Sequence, residues 1–201
     1  MLQEEILYKN WETFRTQLEK LSERTPNIAH FIEQLEELEL PTTPASTRLD
    51  YVCAYPGGLV EHSLRVLTYV AKLRKVYGLE KDISATSAIL VSLLHDVGKV
   101  GYNNKPYYLP QEDEWKKTKL GQMYEINQKL AFIPVSQLSL KLLTQNSFML
   151  DLDEWYAISN VRDNTKDQYF SKYEPKLSIL LNQAITMACL DGKSKREASV
   201  I

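Results

Sequence analysis

Leu93-Leu-His-Asp-Val-Gly-Lys99 is the stretch on which the reading of this chain turns. The adjacent His95 and Asp96 close an apolar run, Ile89-Leu-Val-Ser-Leu-Leu94, and stand two residues before Gly98. That pattern predicts a buried helix whose end carries an imidazole and a carboxylate side by side. A second segment, Gly57-Gly-Leu-Val-Glu-His-Ser-Leu-Arg-Val66, places His62 at the start of another helix. The chain has only three histidines, and two of them fall in these segments. Imidazole and carboxylate donors from two neighbouring helices are a ligand set for one divalent metal ion, among them Mn, Fe, Ni, Co, Zn and Mg. The spacing alone also allows a satisfied core histidine and a polar pair that merely ends a helix.

Working outward, nearly every segment has the period of a helix. Residues 2–21 set Ile6, Leu7, Trp11, Phe14, Leu18 and Leu21 on one stripe. A helix over about 27–39 aligns Ile28, Phe31, Ile32, Leu35 and Leu38, with His30 among polar neighbours as an ordinary surface residue. Pro41-Thr-Thr-Pro-Ala-Ser46 breaks the pattern. Pro56-Gly57-Gly58 releases a helix over about 59–77, closed by Gly78, along which His62, Val66, Tyr69 and Leu73 share a core-facing side. The next helix spans about 83–96, capped by Asp82 or Ser84. Residues 101–121 read as an aromatic-rich loop, followed by helices at about 121–132 and 134–145. Asp151-Leu-Asp-Glu154 is an acidic capping box for a helix near 152–162. Pro175 opens a last helix, about 175–191, that Gly192 is expected to end. No strand alternation and no internal repeat stand out, so the fold class is all-α. The expected division is an N-terminal helical extension over 1–40, one domain over 41–192 and a frayed tail over 193–201.

The 201 residues fit one domain, and 44% hydrophobic content suffices for a core. A net charge of -2 gives no global signature for nucleic acid or an anionic membrane. Lys116-Lys-Thr-Lys119 reads as a solvated face. Cys53 and Cys189 sit in apolar contexts and read as structural thiols in a reducing compartment, which points to the cytoplasm. Neither a secretory leader nor an apolar run near the roughly 20 residues of a membrane span is visible.

Two cations stand near the candidate ligands. Arg65 lies one helical turn beyond His62 and has the planar fork that grips a phosphate. Lys99, three residues past Asp96, supplies a second positive charge. With a metal, these groups describe a site that polarises a phosphoryl oxygen and activates water.

Taken together, the two motifs resemble the HD-domain superfamily of metal-dependent phosphohydrolases, and most nearly its phage-encoded members. The likeness covers about residues 44–190. It includes Pro44-Ala-Ser46, Tyr107-Tyr108 with Trp115, Leu120-Gly121, Tyr124-Glu-Ile-Asn127 and Glu154-Trp-Tyr-Ala-Ile158. It implies an all-α HD-type helical bundle, here with an N-terminal helical extension. It also implies metal ligands at His62, His95 and Asp96, a catalytic site using Asp96 and Lys99, and phosphate binding by Arg65 and Lys99. A phage origin implies the host cytoplasm.

The family's fourth ligand is an Asp in the last core helix. The matching stretch here is Leu181-Asn-Gln-Ala-Ile185, with Ile185 at the ligand position. Asp191 follows six residues later, which turns a helix by about 240° and advances it about 9 Å. Asp163 and Asn182 are the other candidates. Val52 stands where relatives tend to carry another histidine, and further histidines of the last third are missing. The resemblance therefore implies one metal rather than two, held by an incomplete set.

Two functions follow as expectations. One is a phosphohydrolase acting on a nucleotide or small phosphate ester. The other is a catalytically degenerate HD domain that binds a nucleotide or a host protein. A plain helical scaffold is a third reading. Residues 2–39 are candidates for a homodimerisation arm or a lid.

Overall fold

The computed structural model describes residues 4–161 and 174–198, with side chains placed up to Asp191. It is mostly helical. Eight α-helices run in chain order: α1 (Glu4–Glu19), α2 (Ile28–Glu37), α3 (Gly58–Val76), α4 (Ala85–Leu94), α5 (Glu114–Leu120), α6 (Val135–Gln145), α7 (Leu152–Ser159) and α8 (Lys176–Ala198). One two-stranded antiparallel sheet joins β1 (Tyr108–Pro110) to β2 (Tyr124–Ile126), with Leu109 opposite Glu125. Two 3-10 turns, Leu40–Thr42 and Val97–Val100, complete the element order.

The amphipathic stripes decide the packing. Trp11, Phe14, Leu18 and Leu21 are buried, as are Phe31, Ile32 and Leu35 of α2. These residues share one core with Val66 and Val70 of α3, Leu90 and Leu94 of α4, Ile158 of α7 and Leu181 and Ala188 of α8. The first two helices thus close over the bundle rather than standing apart from it. On the first stripe Ile6 is exposed, at 41%, and Leu7 is half-buried. No helix among the described residues is long and apolar enough to cross a membrane.

Local signals hold where the cap chemistry is explicit. Ser84, not Asp82, caps α4, its hydroxyl accepting from the Ser87 amide at 2.9 Å. The acidic capping box of α7 is present in both directions: Asp151 Oδ1 accepts from the Glu154 amide, and Glu154 Oε2 from the Asp151 amide. Gly57 and Gly78 both adopt left-handed backbone (φ 78° and 63°), the first entering α3 and the second leaving it. Gly58 is required for a different reason, since a β-carbon there would run into the carbonyl of Cys53.

The expectation fails in three places. First, residues 121–132 are not helical. Gly121, at φ 60°, ends α5, and the chain then pairs as β2 and turns at Asn127, whose side chain donates to the Pro106 carbonyl at 2.9 Å. Three-residue strands are too short to show alternation, so the sheet left no periodic trace. Second, the expected loop over 101–121 contains β1 and α5; Asp113 caps α5 by accepting from the Trp115 and Lys116 amides. Third, α8 continues through Gly192 to Ala198. A glycine ends a helix by turning left-handed, and Gly192 is not among the glycines that do so. Residue 162, expected to end α7, and the candidate ligand Asp163 lie outside the described residues.

Candidate metal centre

Helix α4 is apolar on nearly every side, with Leu90, Val91, Leu93 and Leu94 all buried. It is therefore a central helix, and its C-terminal end emerges inside the protein. His95 is its C-cap and Asp96 opens the Val97–Val100 turn. Both are buried, at 0% and 5% exposed. The turn is stapled to α6 by Ser139, whose hydroxyl donates to the His95 carbonyl at 2.9 Å and accepts from the Gly98 amide at 2.9 Å. Gly98 makes this approach possible, because a β-carbon there would lie 2.6 Å from the Leu138 β-carbon and from the Ser139 nitrogen.

Helix α3 crosses α4 and brings His62, also 0% exposed, to the same place. The His62 and His95 rings are 5.9 Å apart at 63°. One ligand atom from each of His62, His95 and Asp96 can be chosen so that all lie within 4.8 Å of one another. Ligand atoms about 2.0–2.2 Å from one ion are separated by roughly 3–4 Å, so the cluster would close on an ion with a contraction on the order of 1 Å. Two nitrogens and one carboxylate oxygen leave further coordination positions for water or substrate. The three residues therefore fit a single divalent ion.

The tautomer of His95 supports the fit. Its Nδ1 lies 3.0 Å from the Ser92 carbonyl oxygen, which can only accept, so Nδ1 carries a proton. In the neutral ring Nε2 is then the lone-pair atom, as a metal-bound histidine requires. It lies 3.6 Å from Asp96 Oδ2. The same Oδ2 accepts from Lys99, so the carboxylate is charge-balanced while the Nε2 lone pair stands beside it.

The predicted cations are both near carboxylates. Lys99, 7% exposed, donates to Asp96 Oδ2 at 2.6 Å and to the Ala45 carbonyl at 2.8 Å. Arg65 forms an ion pair with Glu61, one turn earlier on α3, and its Nη1 lies 3.5 Å from Cys53 Sγ. Burial pulls the Arg65 guanidinium down, but Cys53, Glu61 and Tyr55 outweigh it and leave it above its ordinary value. Tyr55 donates to Glu61 Oε2 at 2.9 Å, and burial first, then Cys53 and Glu61, pushes its hydroxyl well above the usual tyrosine range. Tyr107 is also raised, by burial first and then Tyr108 and Asp96, with Lys99 opposing. Tyr108 donates to the same Ala45 carbonyl as Lys99, at 3.4 Å.

Ile185, at the expected fourth ligand position, is 2% exposed within the apolar core, and Val52 is buried beside Ala45 and Cys53. Asp191 and Asn182 are half-buried on α8, and Asp191 is not part of the ligand cluster.

Sequence reasoning missed Glu61, Ser139 and the Ala45 carbonyl. Glu61 had a signal, its i,i+4 spacing to Arg65. The other two act through contacts between residues 41 or more apart, which no local pattern reveals. Comparison of the chain with family models, curated proteins and solved structures found no match.

Proposed function

We propose that this chain is an HD-type metal-dependent phosphohydrolase of reduced ligand set, holding one divalent ion at His62, His95 and Asp96 and acting on a nucleotide or small phosphate ester. The observation that carries this reading is the convergence of three buried ligand side chains from two helices within 4.8 Å. When bound, such an ion supplies Lewis acidity toward a phosphoryl oxygen and lowers the pKa of water. With Asp96 and Lys99 paired, a divalent ion bound there would leave the centre positive and so complementary to a phosphate.

The chain's own residues divide the remaining work. His95, fixed by the Ser92 carbonyl, presents Nε2 to the centre. Asp96 supplies the anionic donor, and Lys99 holds its carboxylate while keeping a positive charge in the site. Arg65 reaches a phosphate by exchanging its single Glu61 contact for it, gaining a bidentate oxyanion. Tyr107 and Tyr108 form the aromatic wall beside Lys99.

A second reading has its own observation. Ile185 and Val52 are buried apolar residues where the resemblance implies polar ligands. A degenerate HD domain would keep the phosphate-binding site without turnover.

Elemental analysis of protein purified without added metal, then after loading with Mn, separates these readings when His95→Ala is run beside the wild type. The expected result is near-stoichiometric metal that is lost in the variant, with phosphate released from p-nitrophenyl phosphate or nucleoside monophosphates. Metal without turnover, or no metal in any sample, overturns the enzyme and selects the degenerate binding module.

A further inference from the structure

Away from the His-Asp centre, and sharing no residue with it, a half-open cavity of about 420 Å³ lies between the start of α2, the end of α6 and the loop after the Val97–Val100 turn. That volume falls in the range of about 300–1,000 Å³ typical of small-molecule sites. Its lining is polar yet uncharged. Asn27, Gln34, Tyr102, Asn103, Asn104 and Asn146 contribute most of the functional groups, and among the described residues no aspartate, glutamate, lysine or arginine lines it. His30 also stands in the wall.

The amides are set by the fold. Asn146 Nδ2 donates to Gln34 Oε1 at 2.8 Å and to the Leu142 carbonyl at 2.9 Å. This fixes both amides in one orientation and leaves Gln34 Nε2 as a donor beside Asn146 Oδ1 as an acceptor. Thr25 holds the Asn146 carbonyl at 2.6 Å and so anchors the same corner. Among the described residues, five that are not glycine have left-handed backbone, and three of them line this cavity: Asn103 (φ 49°), Asn104 (φ 57°) and Ser147 (φ 54°). Asn103 and Asn104 form the two-residue turn between the bridged Tyr102 and Lys105, which presents both amides on the rim of the cavity.

From this placement we infer a binding site for a neutral, polyhydroxylated ligand, a saccharide of one or two rings. Each sugar hydroxyl both donates and accepts, which is what a paired amide donor and acceptor matches. Tyr102 is the one aromatic residue of the lining and can contact the apolar C–H side of a sugar ring. An anionic ligand finds no fixed cation here. A planar base finds a single aromatic ring and a predominantly polar wall.

The test is ligand-observed saturation-transfer NMR on the full chain with glucose, N-acetylglucosamine and maltose, and with adenosine and AMP as planar and anionic comparators. His30 serves as an independent reporter, because it is the only histidine at the cavity. At least one sugar should show transfer and shift the His30 ring resonances while those of His62 and His95 stay in place. The transfer should fall at least five-fold in Gln34→Leu and in Asn104→Gly, the second being an exposed position where glycine keeps the left-handed backbone. It should persist in His95→Ala, which separates this site from the metal centre. Transfer to none of the sugars, transfer confined to adenosine or AMP, or sugar transfer unchanged in both cavity variants would overturn the proposal.

Discussion

Two buried carboxylates, Glu154 and Asp96, meet cations in this protein, and they are built for different ends. Glu154 is 0% exposed and its Oε2 both accepts from the Asp151 amide and pairs with Arg24, which in turn grips the Met149 carbonyl. Its partners are backbone, a helix cap and one arginine, so the group ties the turn after α1 to the start of α7. Asp96 pairs with Lys99 but also faces two imidazoles that arrive on separate helices. Both centres are buried and charge-balanced, so burial and charge do not distinguish them. The difference lies in the neighbours: Asp96 stands among imidazole nitrogens that could share a metal ion with it, whereas Glu154 is held by a backbone amide and an arginine.

The largest expected effect breaks the structural centre. Glu154→Ala strands Arg24 and removes half of the capping box, so urea unfolding should show a loss of about 3–5 kcal/mol. Metal content per folded molecule should stay unchanged. A loss below about 1 kcal/mol would mean that the two centres are not divided as drawn here.

Metal-linked stability should come next. At an ion concentration about 100 times its Kd, a single site adds about 2.7 kcal/mol. Thermal unfolding with and without Mn or Zn should show that gain in the wild type and none in His95→Ala. A gain retained by the variant would place the ion elsewhere.

Ile185→Asp sharpens the same point. A carboxylate buried without a partner should cost about 1–3 kcal/mol in metal-free protein. Metal should recover that loss and bind about tenfold more tightly, or about 1.4 kcal/mol, if residue 185 faces the cluster. Metal titrations indistinguishable from wild type would show that it does not.

The smallest effect is at alkaline pH. Burial raises Tyr55, Tyr107 and Tyr124 above the usual tyrosine value of about 10. Below pH of about 10 each is neutral in both folded and unfolded chains, so its contribution is fully present there. Above it the unfolded chain releases the proton first, and stability falls as pH rises toward the folded values. Tyr55→Phe should flatten the decline in the urea midpoint measured from pH 9 to 11. An unchanged slope would mean that Tyr55 is not held neutral by its surroundings.

Where an expectation held or failed follows from the range of the interactions. The stripes of α1 and α2, the Ser84 cap and the Asp151–Glu154 box were legible because their information lies within a few residues. The stretch after Gly121 was misread because β2 exists only through pairing with β1, across the whole of α5. Gly192 was misread because a glycine permits a left-handed turn without enforcing one. At the candidate site His62, His95 and Asp96 were legible as residue types at the right spacing. Glu61's hold on Arg65 was written in their i,i+4 spacing and was passed over.

By itself the sequence determined the helical class, most of the helices and the three ligand-capable side chains, since periodicity, caps and residue chemistry are local properties of a chain. Only the tertiary structure decided that these three meet within 4.8 Å, that Lys99 and Arg65 rest on carboxylates, and that Ile185 is sealed in the core. Those facts depend on how α3 crosses α4 and where α8 lies on both. That geometry is set by the summed fit of many apolar side chains, and no single stretch of sequence records it.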